Sequence, residues 1–414
     1  MTALQPDAMT NENAEAALAR GRKGRVEPVL IAGAGIGGLA AALALAQRGI
    51  PSHVLERRAA FNEEGAGIQL GPNATRILRR LGVADALRPH VGVPETITVR
   101  DGASGRLLAS LPLGRWIAMR YGAPYWVALR SDLHAALVEA VRADSLIALS
   151  MGYNVAEVAM DAEQVAVANV FGQAWTGKAL IAADGVWSNI RERCFPAGAP
   201  HFIGKSAART VLGMDEVPPE FHKPETGLWL FPDAHVVHYP VAAGADLAIV
   251  VIADDEHDDE DWSAPVHPAW VQQRLPECPE PLSDLIGQAR TWRRWALHTL
   301  PPQRHWTRGL VALLGDAAHP ILPFLAQGGA MALEDAVVLA DAMYASGGEV
   351  SAAFKAYETR RRSRAARVAD ASQKNGRAYH HTGMLATMRN LVLRGVPPQR
   401  LIARYDWLYG WRGQ

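Results

Sequence analysis

Cysteine is nearly absent: Cys194 and Cys278 are the only two in 414 residues, far apart and in no Cys-x-x-Cys spacing. That argues against a disulfide framework, a thiolate metal site and dithiol redox chemistry, and it fits a reducing, cytoplasmic compartment. Net charge is absent too, because 42 Lys and Arg balance 42 Asp and Glu. No global field favours nucleic acid or an acidic membrane, and neither is expected as a partner. No window reaches the roughly 18 charge-free apolar residues of a membrane span. Residues 1–25 are polar, lack the apolar core of a signal peptide, and are expected to form a disordered arm. The one dense basic run, RRRSRAAR at 360–367, sits in an Ala-rich helical pattern and is expected to be a solvated helix face.

What is present is a glycine-marked α/β pattern on a chain longer than a single core usually supports, so two lobes or a large insertion are expected. VLIAG at 29–33 reads as a buried parallel strand ended by glycine, LAAALALAQRG as a small-residue helix, and SHVLE at 52–56 as the next strand. Ser131 or Asp132 marks a helix N-terminus in VALRSDLHAALVEA. YNVAEVAMDAEQVAVANVFG alternates as an antiparallel ribbon does, and KALIAADG returns to a buried strand. From about 200 to 300 the texture is aromatic-rich and β-like. After it come a further buried strand, GLVALLGD, and two long helices. The expected architecture is α/β: a Rossmann-like dinucleotide-binding domain assembled from residues 26–200 and 301–375, an inserted β-sheet domain at 201–300, and a C-terminal helical tail at 376–414.

Gly33, Gly35 and Gly38 form G-x-G-x-x-G between a strand and a helix, the context in which this motif carries weight. Tight turning and close backbone approach bring helix N-terminal N–H groups to a pyrophosphate. Glu56 ends the following strand, where a carboxylate accepts from ribose hydroxyls. A helix that merely packs closely on its strand is the alternative. A second glycine site follows in GDAAHPILPFLAQGGAMALEDA: Asp316 falls at a strand's carboxyl end, and Gly328 and Gly329 open a helix. This segment has neither its own G-x-G-x-x-G nor an acidic strand end. The two sites are therefore expected to hold opposite ends of one extended dinucleotide.

The combination of GAGIGG with Glu56, AADGVWS at 182–188, and GDAAHPILPFLAQGGAMALEDA resembles the single-component FAD-dependent aromatic hydroxylases of the para-hydroxybenzoate hydroxylase fold, salicylate hydroxylase-like members above all. The likeness runs from about residue 28 through YDWLYGW at 405–411. It implies FAD as cofactor and NAD(P)H as co-substrate, with Gly33, Gly35, Ile36, Gly38, Glu56 and Arg57 around the ADP half. Gly67 would also bind the cofactor, Arg130 would contact the flavin, Asp184 and Gly185 would serve FAD and the nicotinamide, and Asp316 the ribityl chain. Gly328, Gly329 and Ala330 would lie at the pyrimidine edge. It also implies that a flavin C4a-hydroperoxide hydroxylates a phenolic aromatic or N-heteroaromatic acid. The reaction runs either with loss of the carboxylate as carbon dioxide or, as in 3-hydroxybenzoate 6-hydroxylation, without it.

A phenol is far more nucleophilic as phenolate, so a base or hydrogen-bond acceptor is needed at its hydroxyl. His238 with Tyr239 is the expected pair, ahead of His235, which lies three residues away and faces oppositely in a regular strand. Arg209 is a candidate carboxylate anchor. Trp229 and Phe231 suit either a pocket wall or core, and His319 either catalysis or the shaping of its turn. Where related hydroxylases often carry a polar side chain before AQG, this sequence has Phe324. The competing readings are a flavin dehydrogenase or oxidase without oxygen insertion, and a non-catalytic dinucleotide-fold binding protein. No metal is expected, and the chain is taken as a monomer or homodimer.

Overall fold

The computed structural model describes residues 11–20, 27–61, 66–196, 198–258 and 263–413. Its first layer is a six-stranded sheet in the order Thr307–Arg308, Val311–Leu313, Ala179–Ala182, Val29–Ala32, Ser52–Leu55, Ile147–Ser150. All neighbours are parallel except the Thr307–Arg308 edge. Runs such as VLIA and ALIA are buried along their whole length, as strands covered on both faces must be. The glycine-initiated helix Ile36–Ala46 is Ala- and Leu-rich, which lets the long helix Gly328–Ala345 lie close against it.

The second layer is an eight-stranded sheet: Ala264–Val266, Trp292–Thr299, His201–Gly213, Asp246–Asp254, Ala234–Val241, Glu225–Phe231, Thr96–Asp101, Leu107–Pro112. The expected boundary at 201–300 is too narrow, because Thr96–Asp101 joins this sheet parallel to Glu225–Phe231 and brings Leu107–Pro112 with it. A parallel partner needs a long crossover, so its source lies far away in sequence. One face of the sheet, carrying Leu212, Trp229, Phe231 and Trp292, forms a core with Phe221 and with Leu285 of the helix Leu282–Gln288. The other face looks toward the six-stranded sheet.

Two further expectations are corrected. Residues 12–19 of the supposed arm form the helix Glu12–Ala19, whose Ala14 is fully buried beside Ala166 and Ala168. The Glu157 carboxylate accepts from the backbone N–H of Asn13 and Ala14 at 2.9 and 3.0 Å, satisfying donors of the first turn. Residues 1–10 and 21–26 lie outside the described residues. The basic run is a solvated face only in part: Arg360, Arg362 and Arg367 are exposed, but Arg361 is 1% exposed and Arg364 is partly buried on the helix Val350–Tyr379, and these two pair with carboxylates of Gly328–Ala345. That helix runs through the 375/376 boundary. Beyond it Leu408 and Tyr409 are buried in the protein's own core.

Candidate functional site

The first glycine turn is built by close approach. Gly33 has φ +100°, and a Cβ there would stand 2.5 Å from the Ala183 carbonyl oxygen; at Gly38 it would stand 1.9 Å from the Gly33 oxygen. A Cβ on Gly35 would meet nothing within 4 Å, because Gly35 faces the cleft where Ile36–Ala46 begins. Glu56 is held by two donors, with Oε2 accepting from Ala34 N at 2.8 Å and Oε1 from Arg58 N at 2.9 Å. Each oxygen keeps a lone pair for a ribose hydroxyl. Arg57, Arg130 and Asp184 line the same cleft, which holds about 620 Å³.

A second cavity of about 340 Å³ continues from it, sharing Gly35, Arg130, Gly185, Arg209 and Asp316. The two are one elongated groove of cofactor scale. Asp316 opens to the groove yet is surrounded by protein, which pushes its carboxyl above the ordinary range, with His319 and Arg130 partly offsetting the rise. Burial likewise raises Asp184, whose Oδ1 is buried without a protein partner. Carboxyls poised in this way suit the hydroxyls of a ribityl chain. At the far end the helix Gly328–Ala345 presents its first N–H groups at Gly328, Gly329 and Ala330, where negative charge is favoured.

That helix is fixed from behind. Arg361 donates through Nε to Asp335 and through Nη1 to Glu334, each at 2.6 Å, and Asn73 donates to Glu334 and Gln327. His319 lies 2.6 Å from the same Asp335 and its ring packs on Trp306, so it clamps the loop onto the helix. Burial alone would raise the Asp335 carboxyl, but His319 and Arg361 outweigh it and hold it low.

The wall opposite this helix is the inner face of the eight-stranded sheet. Arg209, Val250 and Val237 form one line across three strands by register, and Ala207, Ile252 and His235 the next. Arg209, Val250, Val237, Ile252, His235 and Tyr239 all line the cavity. The Arg209 guanidinium stacks 3.9 Å over the Trp295 ring, which orients its planar fork. The Tyr125 hydroxyl donates to Gln69 Oε1 at 2.6 Å, and Tyr239 hydrogen-bonds the same Gln69. Burial keeps the Tyr239 phenol protonated, so it acts as a donor and not as a base.

His238 is on the wrong face. Strand alternation sends 235, 237 and 239 to the cavity, so His238 and Tyr239 cannot both face a ligand. His238 accepts from Trp229 Nε1 at 3.2 Å, packs edge-on against Phe221, and fits because Gly227 stands opposite it. Burial, reinforced by Arg100, pushes its pKa down to about 3. Trp229 and Phe231 belong to that same outer core. Sequence reasoning missed Gln69, Tyr125, Trp295 and His380. Gln69 sits on a two-stranded ribbon and Tyr125 just before its second strand, Trp126–Leu129, in stretches that carry no motif at those positions, and the contact of His380 with His235 spans 145 residues.

One dinucleotide groove meeting one sheet-covered cavity defines a protein that holds FAD beside a small organic ligand. An FAD binding domain family model matches residues 27–372. The 3-hydroxybenzoate 6-hydroxylase of Polaromonas naphthalenivorans is 36% identical over 386 residues, 93% of this chain and 96% of that protein. Klebsiella pneumoniae HpxO, solved with FAD and uric acid, superposes with a TM-score of 0.82 at 25% identity, covering 92% of this chain and 96% of the other. A salicylate hydroxylase substrate complex gives 0.79 at 24% identity over 94% and 96%, a likeness of fold. The chain belongs to the FAD-dependent aromatic hydroxylases of the single-component class. It is an FAD monooxygenase, with NAD(P)H as co-substrate. Among the described residues no helix is long and apolar enough to cross a membrane.

Proposed function

We propose that this enzyme hydroxylates a monocyclic hydroxybenzoate of the 3-hydroxybenzoate type and leaves the carboxylate in place. The observation that carries the reading is the single cavity face on which Arg209, Tyr239 and His235 converge around Val237, Val250 and Ile252. The name of the 36% identical relative supports the substrate class.

Arg209, stacked on Trp295, anchors the carboxylate by a bidentate pair. The aliphatic side chains hold the ring and exclude water. Tyr239, fixed through Gln69 and Tyr125, donates a hydrogen bond to the ligand. His235, kept neutral because burial and His380 hold its pKa well below 6.5, offers a ring nitrogen to the phenol hydroxyl. It replaces His238 in the role that the sequence suggested. The residues from Gly33 to Glu56, with Arg57, Gly67, Arg130, Asp184, Gly185, Asp316 and Gly328 to Ala330, would hold FAD, which when bound supplies the activated oxygen. Helix N–H groups at Gly328 and Gly329 would stabilise negative charge at that edge. Arg209 argues for a substrate that carries a carboxylate, and the name of the 36% identical relative favours a reaction that leaves it in place.

The test is substrate-dependent NADH and NADPH oxidation across hydroxybenzoates, with product mass recorded. A gain of one oxygen with the carboxylate retained supports the proposal. Loss of carbon dioxide would move the enzyme to the salicylate-type reaction.

A further inference from the structure

The helix Gly383–Gly395 is seated with its polarity reversed. Its polar side chains turn inward: Arg389 Nη1 donates to the carbonyls of Ala378 and Tyr379 at 3.1 and 2.7 Å, and Asn390 donates to Asp101 Oδ2 at 2.9 Å. Leu393, with Val396 just beyond the helix, packs on the core of Val99, Leu108, Leu228 and Leu401. The opposite face carries Met384, Leu385, Met388, Leu391 and Val392, each between 55% and 79% exposed. A surface helix ordinarily buries its apolar stripe and leaves its polar one in water. These five residues bare on the order of 600 Å² of apolar surface, the upper end of what a monomer leaves in one patch, and patches of that size mark contact sites.

The spacing of the five identifies what covers them. The i±4 ridge of Met384, Met388 and Val392 and the i±3 ridge of Leu385, Met388 and Leu391 cross at Met388. The residues three and four before Met388 are matched by those three and four after it, so the apolar set is symmetric about that position. A two-fold axis through Met388 lays the helix antiparallel on its own copy, with Met388 on Met388, Met384 on Val392 and Leu385 on Leu391. That is the self-complementarity an isologous dimer requires. We propose that this face is the interface of a homodimer, the two Gly383–Gly395 helices crossing at Met388. Two such faces remove about 1,000 Å² from water, where specific interfaces begin, so a dimer of micromolar strength is expected. The helix has no acid, and Arg394 is its only exposed charge. Antiparallel docking sets the two copies of Arg394 twelve residues, or about 18 Å, apart along the axis, where salt screens their repulsion. A helix lying on a lipid surface would carry a row of Lys or Arg beside its apolar stripe. One arginine does not make that row, so a second copy is the occupant. The proposal holds whatever substrate the cavity takes.

The test is sedimentation velocity of the FAD-loaded enzyme, free of detergent, between about 0.5 and 100 μM, the range that brackets a weak specific interface. Wild type is expected to pass from monomer to dimer across it. Met388→Lys places two ammonium groups on the axis with no counter-charge and should weaken the dimer about 100-fold or more, with FAD content and turnover per flavin unchanged. Met119→Lys is the control: that residue is 74% exposed on the helix Gly114–Tyr121, and the variant should dimerise as wild type does. Met388→Cys reports the register. Mild oxidation should join two chains through that position, above the background of Cys194 and Cys278 in wild type, whereas Leu385→Cys should not crosslink because its counterpart is Leu391. A wild type that stays monomeric at the highest concentration would overturn the proposal, and binding of that monomer to anionic vesicles would give the face to lipid instead. A dimer unchanged in Met388→Lys would place the interface elsewhere. Crosslinking through Leu385→Cys as readily as through Met388→Cys would refute the antiparallel two-fold.

Discussion

Removing Arg361 should destabilise the protein more than almost any other single surface-to-core change on the same helix. Its side chain is 1% exposed and donates at 2.6 Å to both Glu334 and Asp335, each fully buried. Arg361→Met fills similar volume but leaves two carboxylates short of a partner, and breaking a buried pair in this way costs about 3–5 kcal/mol. Arg364 still reaches Glu334 at 2.6 Å and His319 still reaches Asp335, so the lower end, about 3 kcal/mol, is expected. Arg362, one residue away and 52% exposed, pairs with Glu358 at 3.3 Å, and Arg362→Ala should cost no more than about 0.5 kcal/mol. Urea unfolding of the two variants, followed by far-ultraviolet circular dichroism, gives both numbers. Adding Asp335→Asn to Arg361→Met should recover part of the loss, because it removes one orphaned charge. A cost under about 1 kcal/mol for Arg361→Met would refute the view that this network fixes the helix Gly328–Ala345.

The remaining predictions are more local. Gly35→Ala should fold normally yet bind FAD more weakly, because its Cβ meets only open cleft, whereas Gly38→Ala should lower stability as well, because its Cβ meets the Gly33 carbonyl; FAD titration and thermal unfolding separate them. Arg209→Met should raise KM for a hydroxybenzoate roughly 10- to 100-fold, the range of a charge-assisted pair worth about 1.5–3 kcal/mol, and wild-type KM would exclude it as the anchor. His238→Leu should leave hydroxylation and coupling unchanged and cost about 1 kcal/mol for the lost Trp229 bond; a large loss of rate would place His238 in the site after all. Asp335 has a folded pKa below its unfolded value of about 4. Its contribution is therefore complete above that value and lost as pH falls toward the folded pKa. Acid titration of Asp335→Asn should lack that part of the loss.

The dinucleotide half was legible because its determinants are local: Gly33, Gly35, Gly38 and Glu56 fall within one strand–helix–strand unit. The structure places them around one groove, with Asp316 and Gly328 at its other end. The substrate half was less legible. Choosing between His235 and His238 requires the phase of a strand buried on both faces, where polarity does not alternate. The pairing of His238 with Trp229 follows from a neighbouring strand's register. The His235–His380 contact and the Arg361 clamp arise where distant helices dock, and nothing in the RRRSRAAR run distinguishes its buried arginines from its exposed ones except helical phase against a partner. Residues 12–19 looked unstructured because a short Ala-rich helix gains its stability from the sheet beneath it.

The central claim is that one FAD and one carboxylated phenol meet on the cavity face carrying Arg209 and His235. The most direct measurement is turnover of 3-hydroxybenzoate under isotopically labelled dioxygen, with mass analysis of the product and a count of NAD(P)H consumed. The account predicts a product that keeps its carboxylate and gains one labelled oxygen atom per NAD(P)H oxidised. Peroxide as the sole oxygen product across the hydroxybenzoates, or a product lacking its carboxylate, would contradict it.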